Sequence, residues 1–137
     1  MKRLMIMALA LVAFTGYTDC PQTDCPPPDG YLTAGDWGGE HWLFRVSENG
    51  YVYVETDCAH GTSREPVFVA NGDVDFWVDM VPEGGPVVYP PEDPQTYPAE
   101  FVGTVCDGVL SFTYRTDTYA SEGEVVYGEP PQLFKCL

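Results

Sequence analysis

Positive charge is what this sequence has least of. Six Lys and Arg face 21 Asp and Glu, a formal net charge of −15 at pH 7. A surface so acidic repels polyphosphates and anionic headgroups, which argues against nucleic acid and charged lipid surfaces as partners. Histidine is scarce too: His41 and His60 are the only two, thin material for a closed metal site, which takes four ligands. No long stretch repeats its apolar residues with the period of a helix. Long apolar runs are missing but for one, residues 4–14, which is short for a membrane span. Also missing are a nucleophile elbow around any serine, a glycine loop built for phosphate, and the acid spacing of a calcium loop.

The one apolar run follows Lys2 and Arg3 and precedes a polar stretch rich in proline and cysteine. Those are the proportions of a secretory signal, expected over residues 1–16. Its removal would leave 4 basic against 21 acidic residues, or −17. Residues 17–30, YTDCPQTDCPPPDG, carry no periodicity and read as a tether. Residues 31–137 are one domain's worth of chain, long enough to bury about two-thirds of its unfolded surface.

That remainder alternates. HWLFRVSENGYVYVETDC holds two β runs around Asn49-Gly50, PVFVANGDVDFWVDM two around Asn71-Gly72, and AEFVGTVCDGVLSFTYRTD two around Asp107-Gly108. Asn-Gly and Asp-Gly tolerate the positive φ of tight hairpin turns. Opposed residues share a face, so register can be argued by matching apolar to apolar. Around Asp107-Gly108 this predicts Val105 opposite Leu110, Gly103 opposite Phe112 and Phe101 opposite Tyr114, with Cys106 outward. Around Asn71-Gly72 it predicts Val69 with Val74 and Val67 with Phe76, leaving Asp73, Asp75, Trp77 and Asp79 outside. The first hairpin needs a three-residue loop, Glu48-Asn49-Gly50, which pairs Val46 with Val52, Phe44 with Val54 and Trp42 with Thr56. His41 then falls opposite Asp57. A last pair of runs, 124–127 and 132–137, is expected around Gly128 and Pro130-Pro131. Between the second and third hairpins, residues 81–98 form a proline-stiffened loop, a strap across the sheet or a functional loop. The fold expected is all-β, a mostly antiparallel small barrel of about eight short strands, with a sandwich as the alternative.

GDWGGEH at 35–41, DCAHG at 57–61, EGGP at 83–86, PAEFVG at 98–103 and KCL at 135–137 occur in this order. Together they resemble a family of small bacterial exported proteins, many of them lipoproteins, to which no activity is attached. The resemblance spans residues 31–137 and implies an exported all-β domain. The chain departs from it in having Cys25 and Cys106, and in lacking a clean lipid-attachment signal.

Five cysteines in an exported chain predict disulfides. Cys58 continues the inner face of Val52, Val54 and Thr56, and Cys136 shares a side with Phe134, which is expected in the core. Cys58–Cys136 is therefore the first pairing expected, inside the domain. Cys106 points outward beside a turn, within reach of the tether, so Cys25–Cys106 is the second. Cys20 is then odd. Its distance from the apolar run suits lipidation, but Asp19 and Tyr17 before it do not. Cys20–Cys25 with Cys106 free, or an intermolecular bridge, are the other solutions.

ETDCAHG at 55–61 gathers the chemistry. His41, Asp57 and His60 match the ligand types of a zinc site with an open position, and a His–Asp pair also suits general-base work. The plainer reading makes His41–Asp57 a cross-strand pair, gives His60 in its turn a backbone partner, and makes Cys58 a staple. Two functions follow. The first is a non-enzymatic, exported cell-envelope module without cofactor, binding an unknown protein or small ligand through the proline-rich loop and the outward aromatics Tyr53, Phe68 and Trp77. The second is a zinc-binding or metal-dependent protein using His41, Asp57 and His60.

Overall fold

A computed structural model describes residues 25–84 and 95–136. The signal run, Cys20 and the middle of the proline-rich loop lie outside the described residues. Those described form ten strands and no helix: β1 (Gly30–Tyr31), β2 (Gly35–Gly39), β3 (Trp42–Val46), β4 (Val52–Thr56), β5 (Ala59–Ser63), β6 (Phe68–Val69), β7 (Asp73–Pro82), β8 (Tyr97–Cys106), β9 (Val109–Arg115) and β10 (Ala120–Tyr127). Eight of them close an antiparallel barrel in the order β10-β2-β3-β4-β5-β7-β8-β9, and β1 and β6 form a separate two-stranded ribbon. No helix among the described residues is long and apolar enough to cross a membrane.

Alternation builds the barrel. Along β7, Val74, Phe76, Val78 and Met80 are buried while Asp73, Asp75, Trp77 and Asp79 are exposed. The interior is filled by side chains, as expected for a barrel of this strand number. Phe44, Phe76, Phe101 and Phe112 meet Trp42 in one aromatic cluster: Phe76 stacks on Phe101 at 5.1 Å and Trp42 stands edge-on to Phe112 at 5.1 Å. Such pairs contribute about 0.5–1.5 kcal/mol each beyond their burial.

Two of the expected hairpins hold in register. Val46 opposes Val52, Phe44 opposes Val54 and Trp42 opposes Thr56, around a loop in which Gly50 has a φ of 86°. Val105 opposes Leu110, Gly103 opposes Phe112 and Phe101 opposes Tyr114. The hairpin at Asn71-Gly72 does not extend. Its tight turn forms, with Ala70 and Asp73 exchanging backbone hydrogen bonds. Beyond it Phe68 and Val69 pair with Tyr31 and Gly30, and β7 takes β5 and β8 as neighbours. The inner face is nonetheless as expected, with Val67, Val69, Val74 and Phe76 all buried.

The chain end also differs. β10 runs over Ala120–Tyr127, and the following segment is a tail with a single parallel bridge, Gln132 to Glu40. Phe134, expected in the core, is 62% exposed. Cys58 pairs with Cys136 and Cys25 with Cys106, Cα atoms 5.1 and 5.0 Å apart. The first pair lies at the rim rather than inside, because β4 ends at Thr56 and the turn through Cys58 breaks the alternation. Two such pairs belong to an oxidising environment.

Candidate binding site at the barrel mouth

One end of the barrel is open. The β2–β3 turn, the end of β4, the end of β9 and the start of β10 all reach it. There His41, Trp42, Thr56, Asp57, Tyr114, Tyr119, Ser121 and Glu122 border a cavity of 460 Å³. A second hollow of 350 Å³ adjoins it, sharing Tyr114 and Tyr119 and reaching Tyr97. The opening has a cause in the strand pairing. β10 meets β2 at only two pairs, Val126–Gly38 and Tyr127–Trp37, while its other edge pairs with β9 from Ala120 to Val126. The β2–β3 hairpin turns at Glu40-His41, so residues 120–125 have no ladder partner on that side among the described residues.

His41 occupies the turn with a φ of 70°, a conformation uncommon for a residue other than glycine. Its surroundings hold it there: its backbone N–H donates to the Gln132 carbonyl at 2.8 Å. Its Nδ1 lies 2.5 Å from Asp57 Oδ2, as the register argument expects. The other Asp57 oxygen accepts the Phe134 backbone N–H at 2.7 Å. With Nδ1 donating to the carboxylate, Nε2 is turned toward the rim, 3.5 Å from Glu40 Oε1. The Phe134 ring packs on the imidazole, centroids 5.3 Å apart.

Aromatic rings form the cavity's inner wall. Tyr114 lies 5.2 Å from Trp42 and 6.3 Å from Tyr119. Its hydroxyl donates to Tyr97 Oη at 3.2 Å. Burial, reinforced by that hydrogen bond, pushes the Tyr114 phenol far above the ordinary tyrosine value, so it stays protonated.

His60 goes elsewhere. It sits on β5 rather than in a turn, opposite Glu55, with Nδ1 2.6 Å from Glu83 Oε1. Lys135 joins that group, with Nζ 2.5 Å from Glu55 Oε1 and 3.1 Å from Glu83 Oε2. The Lys135 hydrogen bond, with His60 behind it, lowers the Glu83 carboxyl, and Glu55 raises the Lys135 ammonium. His41 and Asp57 therefore meet, while His60 belongs to a clamp on the tail. Among the described residues no three His, Cys, Asp or Glu side chains are grouped to hold a metal ion.

The outward aromatics each find a different neighbour. Tyr53 lies 6.2 Å from the His60 ring, Phe68 stands edge-on to Tyr31 at 6.3 Å, and Arg64 lies 5.6 Å over Trp77. Sequence reasoning missed Tyr114, Tyr119 and Ser121 as site residues. The signal for them was present: Tyr114 and Tyr119 flank a short turn, where Thr116 Oγ1 accepts the Tyr119 N–H at 3.1 Å. Comparison with known proteins returns no match to any family model, curated protein or solved structure.

Proposed function

We propose that this chain is an exported, non-enzymatic binding domain of the cell envelope, and that its ligand enters the barrel mouth. One observation carries the site. A barrel whose interior is filled by apolar side chains has a cavity at one end, lined by Trp42, Tyr114 and Tyr119 beside the His41–Asp57 pair. An apolar concavity with a few converging polar groups is the usual form of a small-ligand site, and barrel mouths are a usual place for one. Export rests on the apolar N-terminal run and the two cysteine pairs, and Cys20 is the candidate for a lipid anchor at the periplasmic, outer-membrane or surface face. The likeness to small exported proteins agrees with this reading and adds no activity to it.

A fragment survey by NMR on the oxidised domain tests the mouth. Hits are expected to shift the Trp42 indole, Tyr119 and His41 signals, and His41→Ala is expected to weaken them about tenfold. Hits gathered at Tyr53, Phe68 or Trp77 would move the site to the outer face. A stoichiometric zinc response at His41 in the same spectra would favour a metal-dependent role for His41 and Asp57, without His60, which is held by Glu83.

A further inference from the structure

An unpaired strand edge runs beside the mouth. Along β10 and just past it, the Tyr127 N–H donates to the Gly108 carbonyl on the β9 side, and the Gly128 N–H donates to the Asp36 carbonyl on the β2 side. Backbone groups alternate sides along a strand, so those of Ala120, Glu122 and Glu124 point toward β2. β2 does not reach them. Its ladder with β10 stops at Val126–Gly38, and the hairpin turns at Glu40-His41. A Cβ on Gly39 would stand 2.0 Å from the Glu124 carbonyl oxygen, so the two chains touch there and part beyond it. The gap is a hollow of 410 Å³, with Gly39, Glu40 and His41 on one side and Glu122, Gly123 and Glu124 on the other. Among the described residues no strand takes up the donors and acceptors that Ala120 and Glu122 present there.

An open edge is a template for a further strand. Its side chains choose which strand. Glu122 and Glu124 are exposed on the outer row of β10, opposite the neutral Thr113 and Ser111. Among the described residues neither carboxylate has an ion-pair partner. Arg115, on β9 opposite Ala120, is turned to Glu100 on β8, and Arg45, Arg64 and Lys135 face Asp36, Asp79 and Glu55. A second copy of the same edge is disfavoured, because the fullest antiparallel register would set Glu122 against Glu122, and like charges directly opposite repel. A residue added opposite Glu122 shares its outward face, so Lys or Arg there makes an attractive cross-strand pair. The inward row completes the pattern. Ser121 and Gly123 are small and partly buried, which leaves room for short apolar side chains on the alternate positions of an added strand.

We propose that the free edge of β10, from Ala120 to Glu124, docks an extended basic segment of a partner protein by strand addition. Main-chain pairing supplies the affinity, and Lys or Arg outward alternating with small apolar residues inward supplies the selectivity. The edge lies at the rim, and its use does not rest on a small ligand occupying the mouth.

The test adds a capped hexapeptide of alternating lysine and valine to the oxidised chain and follows amide hydrogen exchange by NMR. The Ala120 and Glu122 amides are expected to exchange about tenfold more slowly with peptide at saturation, and the Ser121 and Gly123 amides, which face β9, to keep their own rates. N-methylation of the lysine amides removes the pairing donors and keeps the charge, and is expected to abolish binding. Glutamate in place of lysine in the peptide is expected to abolish it too. Glu122→Lys, a change at an exposed position, is expected to weaken the lysine peptide about fivefold. Equal binding of the methylated peptide overturns strand addition and leaves only attraction to an acidic surface. Protection that arises away from β10, or no binding of the lysine peptide, also overturns the proposal. Fragment hits at Trp42 and Tyr119 decide the mouth separately.

Discussion

At the scale of single residues, the core is shaped by where side chains are withheld. Phe112 lies in an inward row between Gly103 on β8 and Gly123 on β10. A Cβ on Gly123 would stand 2.5 Å from Phe112 Cζ and 2.9 Å from Trp42 Nε1. The ring thus lies across the glycine, a known way of covering a bare strand position. Gly123→Ala is expected to overpack this contact, costing about 1–3 kcal/mol in urea titration with little change in slope. An unaltered midpoint would mean that Phe112 swings aside freely. Glycine on an inner row is visible in the sequence, but not the ring that needs it, because that ring comes from the neighbouring strand. The His41–Asp57 pair was legible for the opposite reason. A hairpin with a settled loop length fixes its partners by counting, and the three-residue loop at Gly50 carried the count to the end of the strands. His60 and Glu83 are 23 residues apart, and no local count joins them.

At the scale of elements, strands with their own β-forming residues were legible and strands without them were not. β5 is AHGTS and β2 is GDWGG, both poor in branched and aromatic residues. They are strands because their neighbours bring them in. A Cβ on Gly61 would stand 2.4 Å from the Asp79 carbonyl, and one on Gly38 would stand 2.1 Å from that of Glu129, so these glycines admit close backbones. The tail was misread as a strand because QLFKCL alternates in sequence, but only Gln132 finds a bridge. It is fastened instead by Asp57, by the Cys58–Cys136 pair, and by Lys135 against Glu55 and Glu83. This clamp depends on pH in a definite direction. Glu83 is lowered from 4.5, so its contribution is present above 4.5 and is lost as pH falls through the lowered value. Lys135 is raised from 10.5, so its contribution is complete below 10.5 and is lost as pH rises through the raised value. These groups are partly exposed, and their effect on global stability is expected to stay below about 1 kcal/mol. Local opening is the sensitive readout. In Glu83→Gln the Phe134 and Cys136 amides are expected to exchange about two- to fivefold faster at a pH near 6, with the difference from the parent closing as pH falls through the lowered Glu83 value. Equal protection near 6 would assign the tail's anchorage to Asp57 and the disulfide alone.

At the scale of the whole molecule, the acidity of the chain works against the fold. Each of the four described cations already faces a carboxylate. With 21 acids in the chain, most carboxylates have no positive neighbour and repel one another across the outer face. Closure of the barrel places these groups on a convex surface, where water and mobile ions reach them. Their repulsion therefore falls as added salt shortens the screening length, about 30 Å at 0.01 M and about 10 Å at 0.1 M. The melting temperature of the oxidised chain is expected to rise by a few degrees between those concentrations of sodium chloride, as followed by circular dichroism. A fall would mean that the few ion pairs outweigh the unpaired acids, with Arg64–Asp79 and the Lys135 clamp as the first to examine.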